Sequence, residues 1–244
     1  MIAWGLTDKG VVRAQNQDAF FLRVFPEDGM AIAAVCDGMG GARAGDVASN
    51  MALGFFSEEI LRALRPNLTV QEIAGILTYA AHRANAEVFL KSESGGAFSG
   101  MGTTLVAAVI SGNRAVVANA GDSRAYFITP NGIVCVTRDH SLVEDLMCKG
   151  DITPEEAKSH PSKNLITRAL GTDPHVDCDL FELEMAPGDA LLLCSDGLTN
   201  VVDDQEILHE VQGGVEPEQA CRQLLRLACD RGGPDNITVV IVSL

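Results

Sequence analysis

The 244 residues are 47% hydrophobic, 21% charged and only 5% aromatic, a balance that supplies the core of one domain, or of two, and excludes a disordered chain. With 18 Lys and Arg against 33 Asp and Glu, the formal net charge is −15, so the surface repels nucleic-acid phosphates and anionic lipid. The start, MIAWGLTDKG, has no basic region leading into an apolar stretch, and no segment reaches the ~20 apolar residues of a membrane span, so a cytoplasmic protein with neither nucleic-acid nor membrane partners is expected.

The first regular element expected is a strand at 31–36, a short apolar run bounded by turn residues. An amphipathic helix follows from about Gly45, where Ala48, Met51, Ala52, Phe55, Ile60 and Leu64 recur at helical steps and Pro66 stands past the end. The next helix opens on Thr69-Val70-Gln71-Glu72, a capping-box pattern, and gathers Ile73, Ile76, Leu77, Ala80, Ala84 and Val88 on one face. Strands are then expected at 103–110, 114–119, 126–128 and 133–136. Residues 141–168 break this rhythm, with a helical piece at 142–149, a Thr-Pro-Glu-Glu cap at 153–156, and interruptions at Gly150 and Pro161. From spacing alone this stretch is open to two readings, a plain connection or a flap over a site. A strand at 190–194, a short helix at 204–211, a helix from Pro217 to Asp230 ended by Gly232-Gly233, and a strand at 237–242 follow. Helices cluster at 45–91 and 204–231 instead of alternating regularly with strands, so the fold class is α+β with segregated layers and not a doubly wound parallel sheet.

Two apolar runs stop on a carboxylate followed by glycine. AAVCDGMGG puts Asp37 and Gly38 at the end of one, and LLLCSDGL puts Asp196 and Gly197 at the end of another. Asp122 stands at the exit of the 114–119 strand, and Asp235-Asn236 at the entrance to 237–242. Any one of these alone reads as a turn, since Asp-Gly and Asp-Asn are common turn formers. Together, carboxylates on several strand ends can converge on one rim of a sheet, where like charges repel unless a hard cation sits among them. Oxygen-only ligands favour Mg²⁺ or Mn²⁺ over zinc, and two such ions would hold an activated water and clamp a phosphoryl group. A phosphate reader should accompany them; Arg13, in RAQNQD, offers a guanidinium fork, although taken alone it reads as a surface arginine. The seven cysteines are odd in number, with no CxxC pair and no His at zinc spacing, and are expected as reduced thiols.

Taken in order, RAQNQDAF, VCDGMGG with AGDVAS after it, SGMGTTL, ANAGDSRAY, RDHSLVEDL, HPSKNLITRALG, LLLCSDGL and GGPDNITVVIV resemble the motifs of the metal-dependent Ser/Thr protein phosphatases, the protein phosphatase 2C-like family in its single-domain bacterial form. The resemblance covers essentially the whole chain. It implies one catalytic domain over 1–244, built as two packed antiparallel β-sheets flanked by helices (an α-β-β-α sandwich), with two Mn²⁺ or Mg²⁺ ions at one edge. Residue by residue it implies Asp37 as the carboxylate bridging both metals, Gly38 as a backbone-carbonyl ligand, Asp196 and Asp235 as the remaining carboxylates, and Asp18 as a direct or water-mediated partner. Arg13 matches the clamp on the substrate phosphate, and Asp122 a position that helps hold a third, weaker metal. The 141–168 stretch falls where the family has its mobile flap. On this reading Gly38 lets its oxygen approach the metals, and Gly40 and Gly41 turn the chain away without crowding the phosphate. In the implied reaction a metal-bridging water attacks phosphorus in line, the metals and Arg13 stabilise the charge on the oxygens, and no phosphoenzyme forms.

The chain departs from the family pattern at a few positions. Relatives from higher organisms place a His, a candidate general acid, directly after the Asp-Gly pair, whereas Met39 stands here and donates no proton. Gln17 stands where an acidic residue often precedes Asp18, and Ala42 where some bacterial relatives carry His; neither removes an expected ligand. His140 and His160 are expected to make structural hydrogen bonds, and Gly38, Gly40 and Gly41 do not form a dinucleotide fingerprint. The expected function is hydrolysis of phosphoserine and phosphothreonine in phosphorylated proteins, by a monomer, with a Hanks-type Ser/Thr kinase as the partner it opposes. Beside it stand a non-catalytic metal-binding interaction module, which would have lost ligands that this sequence keeps, and a phosphatase dedicated to one phosphorylated regulator.

Overall fold

The unbroken apolar runs of this chain are strands buried on both faces, and their order fixes the architecture. The computed structural model describes residues 1–40, 44–212 and 214–244, with Lys158 described in its backbone only. Gly41 and Ala42, singled out in the sequence, lie outside the described residues. β1 (Ile2–Asp8), β2 (Asp18–Phe25) and β3 (Met30–Met39) lead into the long helices α1 (Ala44–Ala63) and α2 (Val70–Glu93). A run of short strands follows: β4 (Gly102–Thr103), β5 (Leu105–Ser111), β6 (Arg114–Ala120), β7 (Arg124–Thr129) and β8 (Gly132–Cys135). The helices α3 (Leu142–Lys149) and α4 (Pro154–Ser159) lie in the connection to β9 (Asp179–Glu184) and β10 (Ala190–Cys194), after which come α5 (Asp196–Thr199), α6 (Asp204–Val211), α7 (Pro217–Asp230) and β11 (Ile237–Ser243).

These strands form two sheets. One runs β2-β3-β5-β6-β9, with β4 paired to the end of β3, and the other runs β1-β11-β10-β7-β8. Every pairing is antiparallel. Along β3 the side chains of Ala31, Ala33 and Val35 enter the layer between the sheets, while Ile32, Ala34 and Cys36 face α1 and α2. Along β10, Leu191 and Leu193 point between the sheets, and Leu192 and Cys194 toward α6 and α7. Both faces are therefore covered, which is why these strands read as continuous apolar runs without a polar alternate.

The helices close the outer faces. α1 buries Ala48, Ala52, Phe56 and Ile60 at four-residue steps, and burying Phe56 or Ile60 contributes about 1.5–3 kcal/mol each. At the start of α2 the Thr69 hydroxyl accepts from Glu72 N–H and the Glu72 carboxylate accepts from Thr69 N–H, which closes the expected capping box. α7 opens with Pro217 in its first turn and buries Ala220, Cys221, Leu224 and Ala228. All seven cysteines are free thiols. No helix among the described residues is long and apolar enough to cross a membrane.

The expected strand at 103–110 is broken at Thr104. The N–H of that residue donates to the Asp37 carbonyl and its Oγ1 accepts from Asp37 N–H, and β4 and β5 lie on either side. β1, β2, β9 and the single turn α5 were not among the expected elements. The α3–α4 segment bridges the two sheets, leaving β8 in one and returning to β9 in the other.

Candidate active site

Antiparallel register decides which residues share the rim. Asp18, at the start of β2, is the partner of Asp37 near the end of β3, so both lie at one end of their sheet. In the other sheet Cys194 pairs with Val239, which sets the exit of β10, and Asp196 beyond it, beside the entrance of β11 and Asp235 before it. The two ends meet through Asp18: its Oδ2 accepts from Ser195 Oγ and from Thr238 Oγ1, each at 2.7 Å, across the sheet boundary. Asp122 sits in the turn where the chain crosses from β6 to β7, from one sheet to the other. Asp37 and Asp196 lie close enough for the charge of Asp196 to act on Asp37. The sequence-predicted carboxylates therefore gather at one rim.

The Asp37 backbone is held on both sides. Its N–H donates to Thr104 Oγ1 at 2.9 Å, and its carbonyl accepts from Thr103 Oγ1 at 2.8 Å and from Thr104 N–H at 2.9 Å. Thr104 Oγ1 in turn meets Ser123 Oγ at 2.7 Å. Gly38 is required by contact: a Cβ there would lie 2.0 Å from the Gly45 carbonyl oxygen and 2.7 Å from that of Gln17. The strand abuts the start of α1 backbone to backbone, a steric reason for glycine that the sequence did not reveal. Gly40, with φ +131°, does occupy a turn conformation that favours glycine. Arg13 donates from its guanidinium to Asp235 Oδ2 at 2.6 Å while staying 53% exposed, so it borders the rim and faces solvent.

Burial sets the electrostatics. Desolvation pushes Asp18 up to about 7 against the pull of the Ser195 and Thr238 hydroxyls, and pushes Asp122 up to about 8. It also holds Asp37 well above the usual carboxylate range and raises Asp196, with the neighbouring Asp charges adding to both. Asp18 Oδ1, Asp122 Oδ1 and Asp196 Oδ1 are buried with no hydrogen-bond partner. Orphaned anionic oxygens that repel one another are stabilised by protons or by cations. An all-oxygen donor set fits a hard divalent ion such as Mg²⁺ or Mn²⁺. Among the described residues no three or more His, Cys, Asp or Glu side chains form a ready-made metal cage. Backbone oxygens and water would complete a coordination shell, as suits ions that keep part of their hydration.

Residues 11–227 match the sequence family described as protein phosphatase 2C. The chain belongs to the protein phosphatase 2C family. It is 41% identical over 237 residues to the serine/threonine phosphatase stp of Listeria monocytogenes, covering 97% of this chain and 93% of that one. The solved structure of the S. agalactiae serine/threonine phosphatase superposes with a TM-score of 0.92 at 34% identity, over 99% of this chain and 98% of that one. The catalytic domain of the serine/threonine protein phosphatase PstP, solved in complex with two manganese ions, superposes with a TM-score of 0.84 at 34% identity, over 99% of this chain and 96% of that one.

Within this phosphatase 2C fold a cleft of about 820 Å³ leads away from the rim. Asp122 and Asp196 line it together with Met147 of α3, Ala157 of α4, Asn200 and Asp204. The irregular 141–168 stretch thus forms one side of a cleft that opens onto the carboxylates. His140 and His160 make structural bonds, as expected. His140 Nδ1 accepts from Gly121 N–H at 3.0 Å and its Nε2 faces Asp179 at 3.2 Å, while His160 Nδ1 accepts from Ser162 N–H at 3.1 Å. The sequence reading missed the residues that hold the rim together, Thr104, Ser123, Ser195, Thr238 and the side chain of Asn236. Only their position beside an Asp-bearing strand end could have marked them.

Proposed function

We propose that this protein hydrolyses phosphoserine and phosphothreonine in proteins, using two divalent cations, Mn²⁺ or Mg²⁺, at the rim. One observation carries the reading: four strand ends from both sheets bring Asp18, Asp37, Asp196 and Asp235 together, with Arg13 as the cation beside them. The names of the relatives support the substrate class, and the manganese ions in PstP support the cofactor.

Asp37, Asp196 and Asp235 would hold the cations, with the Gly38 carbonyl and Asp18 completing the donor set and Asp122 serving a third, weaker site. When bound, the cations supply Lewis acidity that activates a water and offsets phosphoryl charge. Arg13, exposed and planar, forks onto two phosphate oxygens and orients the ester for in-line attack. Met39, next to Gly38, carries no titratable proton for the leaving hydroxyl. Residues 1–244 act as one catalytic domain, with 141–168 as a flap beside the cleft. The working form under this reading is a cytoplasmic monomer that opposes a Hanks-type Ser/Thr kinase.

The test is phosphate release from a phosphothreonine peptide in Mn²⁺, in EDTA, and by Asp37→Asn. Release that requires Mn²⁺ and falls by about a thousandfold or more in the variant supports the proposal. Absence of release by a folded, Mn²⁺-loaded protein would overturn it in favour of an interaction module.

A further inference from the structure

The loop that carries Arg13, residues 9–17 between β1 and β2, has no regular structure of its own. Its path is imposed by the segment just before β11. The Gly233 carbonyl accepts from Val11 N–H at 2.9 Å and from Val12 N–H at 3.3 Å. Asn236, only 4% exposed, fixes the two ends of the loop. Its Nδ2 donates to the Lys9 carbonyl and to the Gln15 carbonyl, both at 2.9 Å, and its Oδ1 accepts from Gln17 N–H at 2.8 Å. Both amide donors are thereby used, at positions that bracket Arg13.

These bonds are not local turn chemistry. An Asn that merely makes a turn bonds to backbone a residue or two away, whereas each of these reaches across more than two hundred positions of the chain. Lys9 and Gln15 are exposed, so on truncation of the buried Asn236 side chain their carbonyls turn to water and the loop loses the tie that fixes its two ends. The Asn236 backbone N–H separately donates to Asp235 Oδ1 at 2.9 Å, and a side-chain substitution leaves that bond in place. Arg13 meets the other oxygen of the same carboxylate. Truncation therefore separates two effects, removing the loop's anchor while sparing the backbone grip on Asp235.

We propose that Asn236 is the positioning residue for Arg13: it does not touch the phosphate, and it sets the place from which the guanidinium reaches it. The inference rests on the phosphatase reading of the rim. Binding of the phosphorylated substrate depends on that placement, because a bidentate fork tolerates little misalignment. Gly233 still holds Val11 and Val12 when Asn236 is truncated, so the loop shifts without leaving the surface.

The test is a kinetic double-mutant cycle on a phosphothreonine peptide in Mn²⁺ with the full chain, Arg13→Ala, Asn236→Ala and the double variant. Thermal melting and Mn²⁺ calorimetry accompany each protein. In Asn236→Ala, KM is expected to rise about tenfold with kcat changed less than about threefold and Mn²⁺ affinity retained. In the Arg13→Ala background the same substitution is expected to add nothing. Additive losses, or a fall in kcat at unchanged KM, would overturn the positioning role. Should Asn236→Ala not fold, Asn236→Asp, isosteric and still able to accept from Gln17 N–H, is judged on the cycle alone. An inactive wild type would remove the phosphatase reading and this role with it, whereas an active wild type with additive variants would remove only the role.

Discussion

At the rim, single oxygens divide the labour. Asp18 Oδ2 takes two hydroxyl donors and Asp196 Oδ2 takes the Asn200 amide at 2.9 Å, while the Oδ1 of each is buried without a partner. One oxygen orients the carboxylate and the other is left for a cation, the usual way neighbouring groups aim a ligand. Glycine does comparable work in the backbone. A methyl group at Gly38 would lie 2.0 Å from the Gly45 carbonyl, and neither backbone can yield without moving Asp37 or the start of α1. Gly38→Ala is therefore expected to lower stability by about 1–3 kcal/mol, measured by urea unfolding, and to abolish turnover where the fold survives. Wild-type stability and turnover in that variant would contradict this account.

Among the elements, the capping box at Thr69 lies wholly within the start of α2, so its effect should be on stability alone. Thr69→Ala is expected to cost about 1 kcal/mol in urea unfolding while turnover stays at the wild-type level. Signals of this local kind made α1, α2, α6 and α7 legible in the sequence, since a cap, a helical period and a terminal Gly or Pro all lie within a few residues. β10 and β11 were legible as short apolar runs. β1 and β2 were not, because β1 is a half-exposed edge strand and β2 mixes Arg23 and Asp18 with aromatics. β9 could have been found from Phe181-Glu182-Leu183-Glu184, whose alternation matches its half-buried pattern. The convergence of the carboxylates depends on strand register across two sheets, which no local pattern encodes; the recurrence of Asp at strand ends suggested a shared rim, and the resemblance to a family added Asp18 and assigned the roles. Ser195, Thr238 and Asn236 carried no signal beyond their place beside an Asp-bearing strand end, since a polar residue there looks the same whether it supports a site or faces water.

For the molecule as a whole, the rim makes stability depend on pH and metal together. An ordinary unfolded Asp titrates near about 3.9. In the fold, burial raises Asp18 to about 7 and Asp122 to about 8, and raises Asp37 and Asp196 as well. The folded state thus keeps protons that the unfolded state releases, so this contribution is fully present below about pH 4 and is lost as pH rises through about 7 to 8. Protein stripped with EDTA is expected to melt at a lower temperature at pH 8 than at pH 5, and Mn²⁺ to restore most of the difference at pH 8. Melting temperatures that do not change with pH in EDTA would show that the carboxylates carry no such strain.

The same rim draws on segments more than two hundred residues apart. Arg13 and Asp18 come from one, Asp235 and Asn236 from the other, and β1 pairs with β11. On a ribosome the early strands and helices can assemble as they emerge. The rim is still incomplete at that stage, for the last carboxylate and the anchor of the arginine loop have yet to be translated. A chain that stops before residue 235 has neither the last carboxylate nor the anchor of the arginine loop, so the rim assembles only once the β11 segment joins strands made more than two hundred residues earlier.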